Sequence, residues 1–159
     1  MYFMDRNDFM RVAIALAEKN VADGAGGPFG AVIVHNGEII GEGTNQVTSS
    51  NDPTAHAEVV AIRNACQKLG TFSLEGCEVY TSCEPCPMCL SAIYWARLDR
   101  IFYGNTKADA AEIDFDDAFL YLEIPKPIGE RTIPTEQMLR AESIKAFQAW
   151  AVSEDKIPY

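Results

Sequence analysis

The first third of the chain shows a helical pattern of apolar residues followed by two strand-like segments. Between residues 8 and 22 the apolar side chains recur at helical spacing, which predicts an amphipathic helix. The β-branched run at 31–34 predicts a strand, Asn36-Gly37 is typical of a two-residue hairpin turn, and 38–45 supplies the return strand. We therefore expect a helix that leads into a β-hairpin.

Helical and strand-like patterns alternate again up to residue 103. A helix that carries His56 in its first turn is expected to run to about Lys68, with Thr54 or Asp52 as its N-cap. The remaining segments predicted in this region are a strand at 77–81, a helix from about 87 to 96 and a strand at 100–103. Because strands alternate with helices, the pattern indicates an α/β sandwich with a mixed sheet.

The C-terminal part of the chain follows a less regular pattern. Residues 108–122 have helical character that is interrupted around Ile113-Asp114, and Pro125-Lys126-Pro127 predicts a stiff spacer. A last helix is predicted at about 135–152. Four apolar side chains are expected to be buried by this helix: Leu139, Ile144, Phe147 and Trp150.

Length and composition are typical of one globular domain. With 159 residues, 48% of them hydrophobic, we expect a single domain over 1–159, with a core at 1–123 and an extension at 124–159. No apolar run approaches the roughly 18 residues of a membrane span, and residues 1–6 do not resemble a signal peptide. Five cysteines, three of them within 83–89, favour a metal site in a reducing compartment. We therefore predict a cytoplasmic protein without a membrane partner.

The charge balance argues against a nucleic-acid partner. The chain carries 13 Lys and Arg residues against 23 Asp and Glu residues, and its net charge is −10. Proteins that bind nucleic acids draw much of their affinity from basic side chains that neutralise phosphates. A small, neutral substrate is therefore expected.

Three residues have the chemistry and spacing of a metal site. Cys86 and Cys89 are separated by two residues, the spacing that lets two thiolates bind one metal ion, and His56 adds a nitrogen ligand. Structural zinc sites normally have four protein ligands, whereas catalytic ones have three and keep a position for water. Glu58 adds a carboxylate that suits proton transfer. The set predicts a catalytic zinc site with one zinc ion per chain and Glu58 as its proton carrier.

A structural zinc site is the alternative that the spacing leaves open. Cys83 would then be the fourth ligand, and the protein would be a zinc-stabilised binding module without turnover. That arrangement leaves Glu58 without a task. Cys66 and Cys77 are expected to be packing residues.

The same residues carry a resemblance to the cytidine deaminase superfamily, and within it to the small bacterial guanine deaminases. His-x-Glu followed by Pro-Cys-x-x-Cys is the pattern of zinc-dependent nucleobase deaminases. The likeness covers nearly the whole chain and includes the segments at 26–32, 51–58, 80–89, 92–97, 115–117, 130–134 and 147–150. Phe29, the Phe115-Asp116-Asp117 triplet and the terminal Tyr159 are the features that favour guanine deaminases over their relatives.

The resemblance implies a role for each matching residue. His56, Cys86 and Cys89 would hold zinc, and Glu58 would transfer protons. Phe29 and Trp95 would form the walls of the base pocket, and Tyr159 would close it. Asn45 would bind a carbonyl of the base, and Ala57 would offer its backbone N–H. Asp117 would accept hydrogen bonds from N1–H and the amino group of guanine. Without the resemblance, Asn45 would be interpreted as a turn residue and Asp117 as part of a solvated acidic face.

The resemblance also implies an architecture. The expected fold is a three-layer α/β/α sandwich with a mixed five-stranded sheet, and the expected assembly is a homodimer. In that dimer, residues from about 128 onward are expected to exchange between protomers. Asp114 departs from the pattern because the family often has glycine there, so a positive φ at this position would be less well tolerated.

The predicted function is hydrolytic deamination of guanine to xanthine and ammonia. Three other substrates stay open within the superfamily, namely adenosine in tRNA, adenine and cytosine. The adenosine of tRNA would call for a basic surface, which the composition of the chain opposes.

Overall fold

The protein was analysed as a computed structural model, in which residues 4–159 are described. Its four strands are β1 (Gly30–His35), β2 (Glu38–Thr44), β3 (Cys77–Cys83) and β4 (Arg100–Asn105). They lie in the order β2-β1-β3-β4. Strand β1 is antiparallel to both of its neighbours, whereas β3 and β4 are parallel. The prediction of an α/β fold with a mixed sheet is therefore confirmed.

The expected count of five strands is wrong for residues 4–159. After β4 the chain forms helices, turns and loops up to Tyr159. The alanine-rich stretch at 108–111 favours a helix. Pro125 and Pro127 have no N–H group to donate to a strand ladder. Strand β4 therefore lies at the edge of the sheet formed by the described residues.

Helices connect and flank these strands. Over residues 4–159 they are α1 (Arg6–Ala22), α2 (Val47–Ser50), α3 (Ala57–Leu69), α4 (Pro87–Trp95), α5 (Lys107–Ala111), α6 (Ala118–Glu123) and α7 (Arg140–Val152), with a 3₁₀ turn at Ile128–Glu130. The short α2 lies between β2 and α3 in the chain. The predicted first helix is confirmed, and Asp5 and Asp8 cap it reciprocally with two hydrogen bonds of 3.0 Å. No helix in the described part of the chain is long and apolar enough to cross a bilayer.

One face of the sheet packs against α1. Phe9 of α1 contacts Val32, Val34 and Tyr80 in a buried apolar cluster. The rings of Phe9 and Tyr80 lie 5.4 Å apart, and Tyr80 stacks on Phe102 at 4.6 Å. Because side chains alternate along a strand, Val32 and Val34 turn to α1 while the residues between and beside them turn the other way.

The opposite face packs against α3 and α4. Ala31 and Ile33 of β1 join the buried alanines of α3 and Ile93 of α4 in a second apolar cluster. Strand β2 approaches the α3 backbone closely, since a Cβ added at Gly43 would lie 2.1 Å from the carbonyl oxygen of Ala57. Only glycine permits this distance. The start of α3 is thereby held firmly against the sheet.

The chain divides into two compact units, Met1–Ala118 and Phe119–Tyr159. In the second unit α7 begins at Arg140 rather than near 135, because Leu139 adopts a left-handed conformation with a φ of 49°.

The burial predicted for the last helix is wrong. Leu139 is 66% exposed, Phe147 is 74% exposed and Trp150 is 50% exposed, while Ile144 is half-buried. Helical spacing of apolar residues shows that a helix has an apolar face, but it does not show that another element covers that face.

Candidate active site

Two helix N-termini bring the predicted metal ligands together. His56 is the N-cap of α3 and Cys86 is the N-cap of α4, with Cys89 in the first turn of α4. The ligand atoms of the three residues all lie within 4.8 Å of one another. His56 Nδ1 is 3.5 Å from Cys86 Sγ and 3.4 Å from Cys89 Sγ. These two sulfur atoms and one nitrogen are a donor set that fits zinc.

The segment before α3 differs from the capping prediction. Neither Thr54 nor Asp52 caps the helix, because the chain stays extended at His56, with φ −71° and ψ 155°. Asp52 instead accepts hydrogen bonds from the backbone N–H of Thr54 at 2.8 Å and from its hydroxyl at 2.6 Å. Arg63 of α3 lies 3.5 Å from the other carboxylate oxygen of Asp52. The turn at Asp52 and Thr54 precedes His56, which lies close to Cys86 and Cys89 of α4.

The electrostatics of the cluster favour one thiolate. Hydrogen bonds from Cys89 and His56 together lower the pKa of the Cys86 thiol to about 4, against the opposing effect of burial. The hydrogen bond with Cys86, together with burial, raises the pKa of the Cys89 thiol. The hydrogen bond to Cys86 also raises the pKa of His56. Helix N-termini favour thiolates as well.

Cys83 is not part of the cluster. Its buried thiol donates a hydrogen bond to the backbone carbonyl of Thr106 at 3.6 Å, and burial raises its pKa to about 11. Among residues 4–159 the group that fits a metal ion consists of His56, Cys86 and Cys89. The geometry therefore does not support the alternative of a four-ligand structural site closed by Cys83.

Glu58 lies beside the ligands without joining them. It is the second residue of α3, and only 6% of it is exposed. Thr81 of β3 donates a hydrogen bond from Oγ1 to Glu58 Oε1 at 3.1 Å. Burial raises the pKa of the Glu58 carboxyl, while hydrogen bonds from its own backbone N–H, from Cys89 and from Thr81 act in the opposite direction. A carboxyl group held in this position can accept a proton and release it again to a bound substrate.

Asn45 lies just after β2 and Ala57 at the start of α3, where their hydrogen-bonding groups are partly in use. Asn45 Oδ1 accepts hydrogen bonds from the backbone N–H groups of Gly27 at 3.4 Å and Val47 at 3.3 Å. Its amide nitrogen is therefore left as the group that can donate to a ligand. Ala57 is fully buried and is the first residue of α3, so its N–H has no partner in the hydrogen-bond ladder of the helix.

The two predicted walls differ in their surroundings. Phe29 is half-buried, and its ring meets the ring of Phe115 edge-on, with centroids 5.0 Å apart and an interplanar angle of 87°. Phe115 also faces Gly27, where an added Cβ would lie 3.3 Å from the Phe115 ring. Trp95, the last residue of α4, is 66% exposed within this chain.

The three aspartates near residue 115 have distinct environments. Asp114 has a φ of 70°, the left-handed conformation that favours glycine. Asp116 is exposed and accepts a hydrogen bond from the backbone N–H of Ala118 at 2.9 Å. Asp117 is half-buried, and its pKa is raised by burial and by the nearby negative charge of Cys86. The charge of Cys86, one of the residues that could hold a metal ion, therefore acts on Asp117. Tyr159, in the second unit, is 73% exposed.

Comparison with known proteins identifies the family. A model of the cytidine and deoxycytidylate deaminase zinc-binding region matches residues 4–105. The chain belongs to the cytidine and deoxycytidylate deaminase family. The matched region contains His56, Cys86 and Cys89, so the family's zinc chemistry agrees with the donor set found in the structure.

One relative in this family aligns over nearly the whole chain. Guanine deaminase of Bacillus subtilis is 56% identical over 156 residues, which cover 98% of this chain and 100% of the relative. The X-ray structure of guanine deaminase from Bacillus subtilis has a TM-score of 0.95 and covers 98% of this chain and 99% of that chain. The predicted similarity to bacterial guanine deaminases is confirmed.

Other members of the deaminase family match a smaller part of the chain. The tRNA-specific adenosine deaminase of Aquifex aeolicus is 43% identical over 101 residues, covering 64% of this chain and 66% of the relative. A structure solved in complex with 2,6-diaminopurine is 34% identical, with a TM-score of 0.66, and covers 69% of this chain and 61% of that chain.

Sequence reasoning missed three residues of this deaminase site. Thr81, which binds Glu58, lies in an apolar strand and reads as an ordinary β-branched residue. The sequence singles out Phe115 only as part of the Phe115-Asp116-Asp117 triplet and gives no sign that its ring contacts Phe29. Asn20, whose amide donates to the carbonyl oxygens of Gly27 and Asn45, lies near the end of the predicted helix and reads as a surface residue. An amide at a predicted helix end followed by several glycines is the signal that would have raised attention to Asn20.

Proposed function

We propose that this protein catalyses the zinc-dependent hydrolytic deamination of guanine to xanthine and ammonia. The observation that carries the proposal is the position of Glu58, a buried carboxyl group that lies beside His56, Cys86 and Cys89 without belonging to the ligand set. A structural zinc site has no use for such a group, whereas a hydrolytic one needs it to transfer protons. The full-length similarity to a guanine deaminase supports guanine as the base.

His56, Cys86 and Cys89 hold one zinc ion per chain in this proposal. When bound, zinc supplies Lewis-acid activation of water at neutral pH. Glu58 takes a proton from the attacking water and delivers it to N3 of the base. It then takes the remaining proton from the hydroxyl group on C2 and passes it to the departing amine, so that the C–N bond breaks, the C2 carbonyl forms, and guanine and water become xanthine and ammonia. Thr81 keeps the Glu58 carboxyl in place through these steps.

The substrate contacts follow from the donors and acceptors of the site. Asn45 donates its amide N–H to the carbonyl oxygen of guanine, and Ala57 offers its backbone N–H. Asp117 accepts hydrogen bonds from N1–H and from the amino group. Phe29 and Trp95 contact the faces of the base. This proposed arrangement rejects adenine, which has an acceptor at N1 and lacks the amine at C2.

We further propose a homodimer in which residues from about 128 onward pack on the partner protomer, so that Tyr159 caps the pocket of the partner. The exposed apolar side chains Phe147 and Trp150 support this arrangement, because such a surface needs a cover. Pro125 and Pro127 form a stiff spacer before the exchanged segment. Residues 1–123 then form the zinc-binding core and 124–159 the extension of a single functional domain.

Two further features belong to the same proposal. The catalytic core is taken as a three-layer α/β/α sandwich, which is supported by α1 on one face of the sheet and by α3 and α4 on the other. The enzyme is assigned to the cytoplasm, because all five cysteines are free thiols.

A direct assay separates this function from its competitors. Purified, zinc-loaded protein is incubated with guanine, adenine, cytosine and tRNA, and the ammonia released is measured. We expect release from guanine alone. If ammonia is released preferentially from tRNA, adenine or cytosine, that compound and not guanine is the substrate. If the protein binds zinc but releases no ammonia, it is a binding module.

A further inference from the structure

A buried asparagine outside the proposed reaction centre connects α1 to the substrate-binding region. Asn20 lies in the last turn of α1 and is only 5% exposed. Its amide nitrogen donates two hydrogen bonds, to the carbonyl oxygen of Gly27 at 2.8 Å and to that of Asn45 at 2.9 Å. Both N–H groups of one side chain are thus used to join two separate loops. Burying such a polar group is costly unless its partners are in place.

The two loops are also joined to each other. The Gly27 N–H donates to Asn45 Oδ1, and the Asn45 N–H donates to the carbonyl oxygen of Phe29 at 3.1 Å. At Gly26 an added Cβ would lie 2.1 Å from the carbonyl oxygen of Asn45, so the two backbones touch. Asn20, Gly27 and Asn45 therefore form a closed set of hydrogen bonds in which each residue limits the movement of the others.

This set of hydrogen bonds determines which end of the Asn45 side-chain amide remains available to a ligand. Gly27 and Val47 bind Oδ1, which turns the amide nitrogen of Asn45 away from both loops. Asn20 holds the backbone carbonyl of the same residue, so the side chain and the main chain of Asn45 are both restrained. Asn20 is not among the metal-binding group, and its own amide is occupied by the two loop carbonyls.

We propose that Asn20 is a positioning residue, which fixes the Asn45 amide as a donor toward the carbonyl oxygen of the substrate base. This inference rests on the proposed function, since it assigns Asn45 to the carbonyl of guanine. If the inference holds, the site distinguishes a base with a carbonyl at C6 from a base with an amine at C6 partly through Asn20. Asn20 is buried and does not contact the base itself.

Two substitutions and a matched control test the role. Asn20→Ser removes one of the two donors, whereas Asn20→Gln keeps both donors on a longer side chain. Asn64→Ser is the control, because Asn64 also donates its amide to a backbone carbonyl of β2, that of Glu42 at 2.8 Å, but lies on the exposed side of α3. Zinc content and the melting temperature are measured for all variants.

The kinetic readout compares guanine with 2,6-diaminopurine, in which an amine replaces the carbonyl oxygen. For Asn20→Ser we expect KM for guanine to rise about 10–100-fold, the range by which losing a residue that orients a metal ligand lowers affinity or activity in metal sites. The inhibition constant of 2,6-diaminopurine changes much less, zinc content stays the same and Asn20→Gln recovers part of the loss. Asn64→Ser matches the unchanged protein.

A double substitution shows whether Asn20 acts through Asn45. In an Asn45→Ala background, Asn20→Ser should add little to the loss already present, because two residues of one network are not additive. Equal losses for guanine and 2,6-diaminopurine, additive losses in the double variant or an unchanged KM would each overturn the inference.

An activity-free measurement separates failure of this inference from failure of the proposed function. Hydrogen exchange of the Gly27 and Val47 amides should be faster in Asn20→Ser than in the unchanged protein. If Asn20→Ser folds poorly, the same exchange is measured in Asn20→Gln. If the unchanged protein does not deaminate guanine, the proposed function fails, while exchange at these amides still tests the hydrogen-bond set. Unchanged exchange at both amides would show that Asn20 does not hold Asn45.

Discussion

Thr81 Oγ1 donates a hydrogen bond to Glu58 Oε1 at 3.1 Å, across the interface between β3 and α3. Both side chains are almost completely buried. A carboxyl group that transfers protons must be held at one place relative to the reacting atoms, since its contribution depends on geometry before it depends on pKa. The bond from Thr81 restrains the Glu58 carboxyl group beside the residues that could hold the metal.

The first prediction concerns Glu58 itself. Glu58→Gln should keep zinc and the fold, because glutamine has the same shape, and should lower kcat for guanine by about 10²–10⁴-fold, the usual contribution of a general acid–base group. The measurement is steady-state ammonia release together with zinc analysis. Glu42→Gln, at an exposed position of β2, serves as the control. Near-normal turnover in Glu58→Gln would remove Glu58 from the mechanism.

The second prediction concerns the metal. Elemental analysis of protein produced with sufficient zinc should give about one zinc per chain, as three protein ligands and a water imply. Cys86→Ser should lose most of the zinc, whereas Cys83→Ser should keep it, since the Cys83 thiol binds the Thr106 carbonyl instead. Loss of zinc from Cys83→Ser with retention in Cys86→Ser would reverse the ligand assignment.

The third prediction concerns recognition of the base by Asp117. Asp117→Ala should keep zinc and lower kcat/KM for guanine by roughly 10²–10⁴-fold, because two hydrogen bonds to a charged group contribute about 1.5–3 kcal/mol each. Asp116→Ala is the matched control, as its carboxylate caps the backbone of Ala118 at the surface. If Asp116→Ala causes the larger loss, the assignment within this cluster is wrong.

The fourth prediction concerns the backbone at Asp114. Its φ of 70° is left-handed, so Asp114→Val should lower the free energy of unfolding by about 1–2 kcal/mol, which corresponds to about 2–8 °C in the melting temperature. Asp114→Gly should be at least as stable as the unchanged protein, because glycine adopts this conformation without a steric cost. The measurement is the melting temperature of Asp114→Val and of Asp114→Gly. If the two variants are equally stable, the left-handed conformation at this position carries no strain.

The fifth prediction concerns the C-terminus. Deleting Pro158 and Tyr159 should lower guanine turnover with little loss of stability, because a ring over the proposed pocket shields the reaction from water. Tyr159→Phe keeps the ring and should retain most of the activity. Normal turnover in the truncated protein would rule out a role for the terminal ring.

Mixed dimers test whether Tyr159 caps the pocket of the partner. When the truncated chain is co-expressed with Glu58→Gln, each protomer alone is expected to be weakly active. In a dimer with exchanged termini, the truncated chain supplies Glu58 and its partner supplies Tyr159, so one complete site per mixed dimer is restored. Activity that stays at the level of the separate variants, or a monomeric protein at micromolar concentration, would contradict the exchange.

The sequence by itself determined which residues form the group that could hold a metal ion, His56, Cys86 and Cys89, and the local elements that carry them. Two cysteines at a fixed short spacing can meet one metal ion wherever the helix lies, and His56 and Glu58 are close along the chain. The hairpin at Asn36-Gly37 and the glycine that follows α3 are equally local. Their conformations depend on a few neighbouring residues, which is why spacing and composition were sufficient to predict them.

Only the tertiary structure decided the relationships between distant segments. The contact of Thr81 with Glu58 and the hydrogen bonds from Asn20 to Gly27 and Asn45 join residues that no periodic pattern connects. The four-stranded count, the exposure of the last helix and the environment of Asp117 likewise depend on which elements pack together. Side-chain burial and hydrogen-bond partners arise from packing across the whole fold, so they cannot be derived from the local sequence alone.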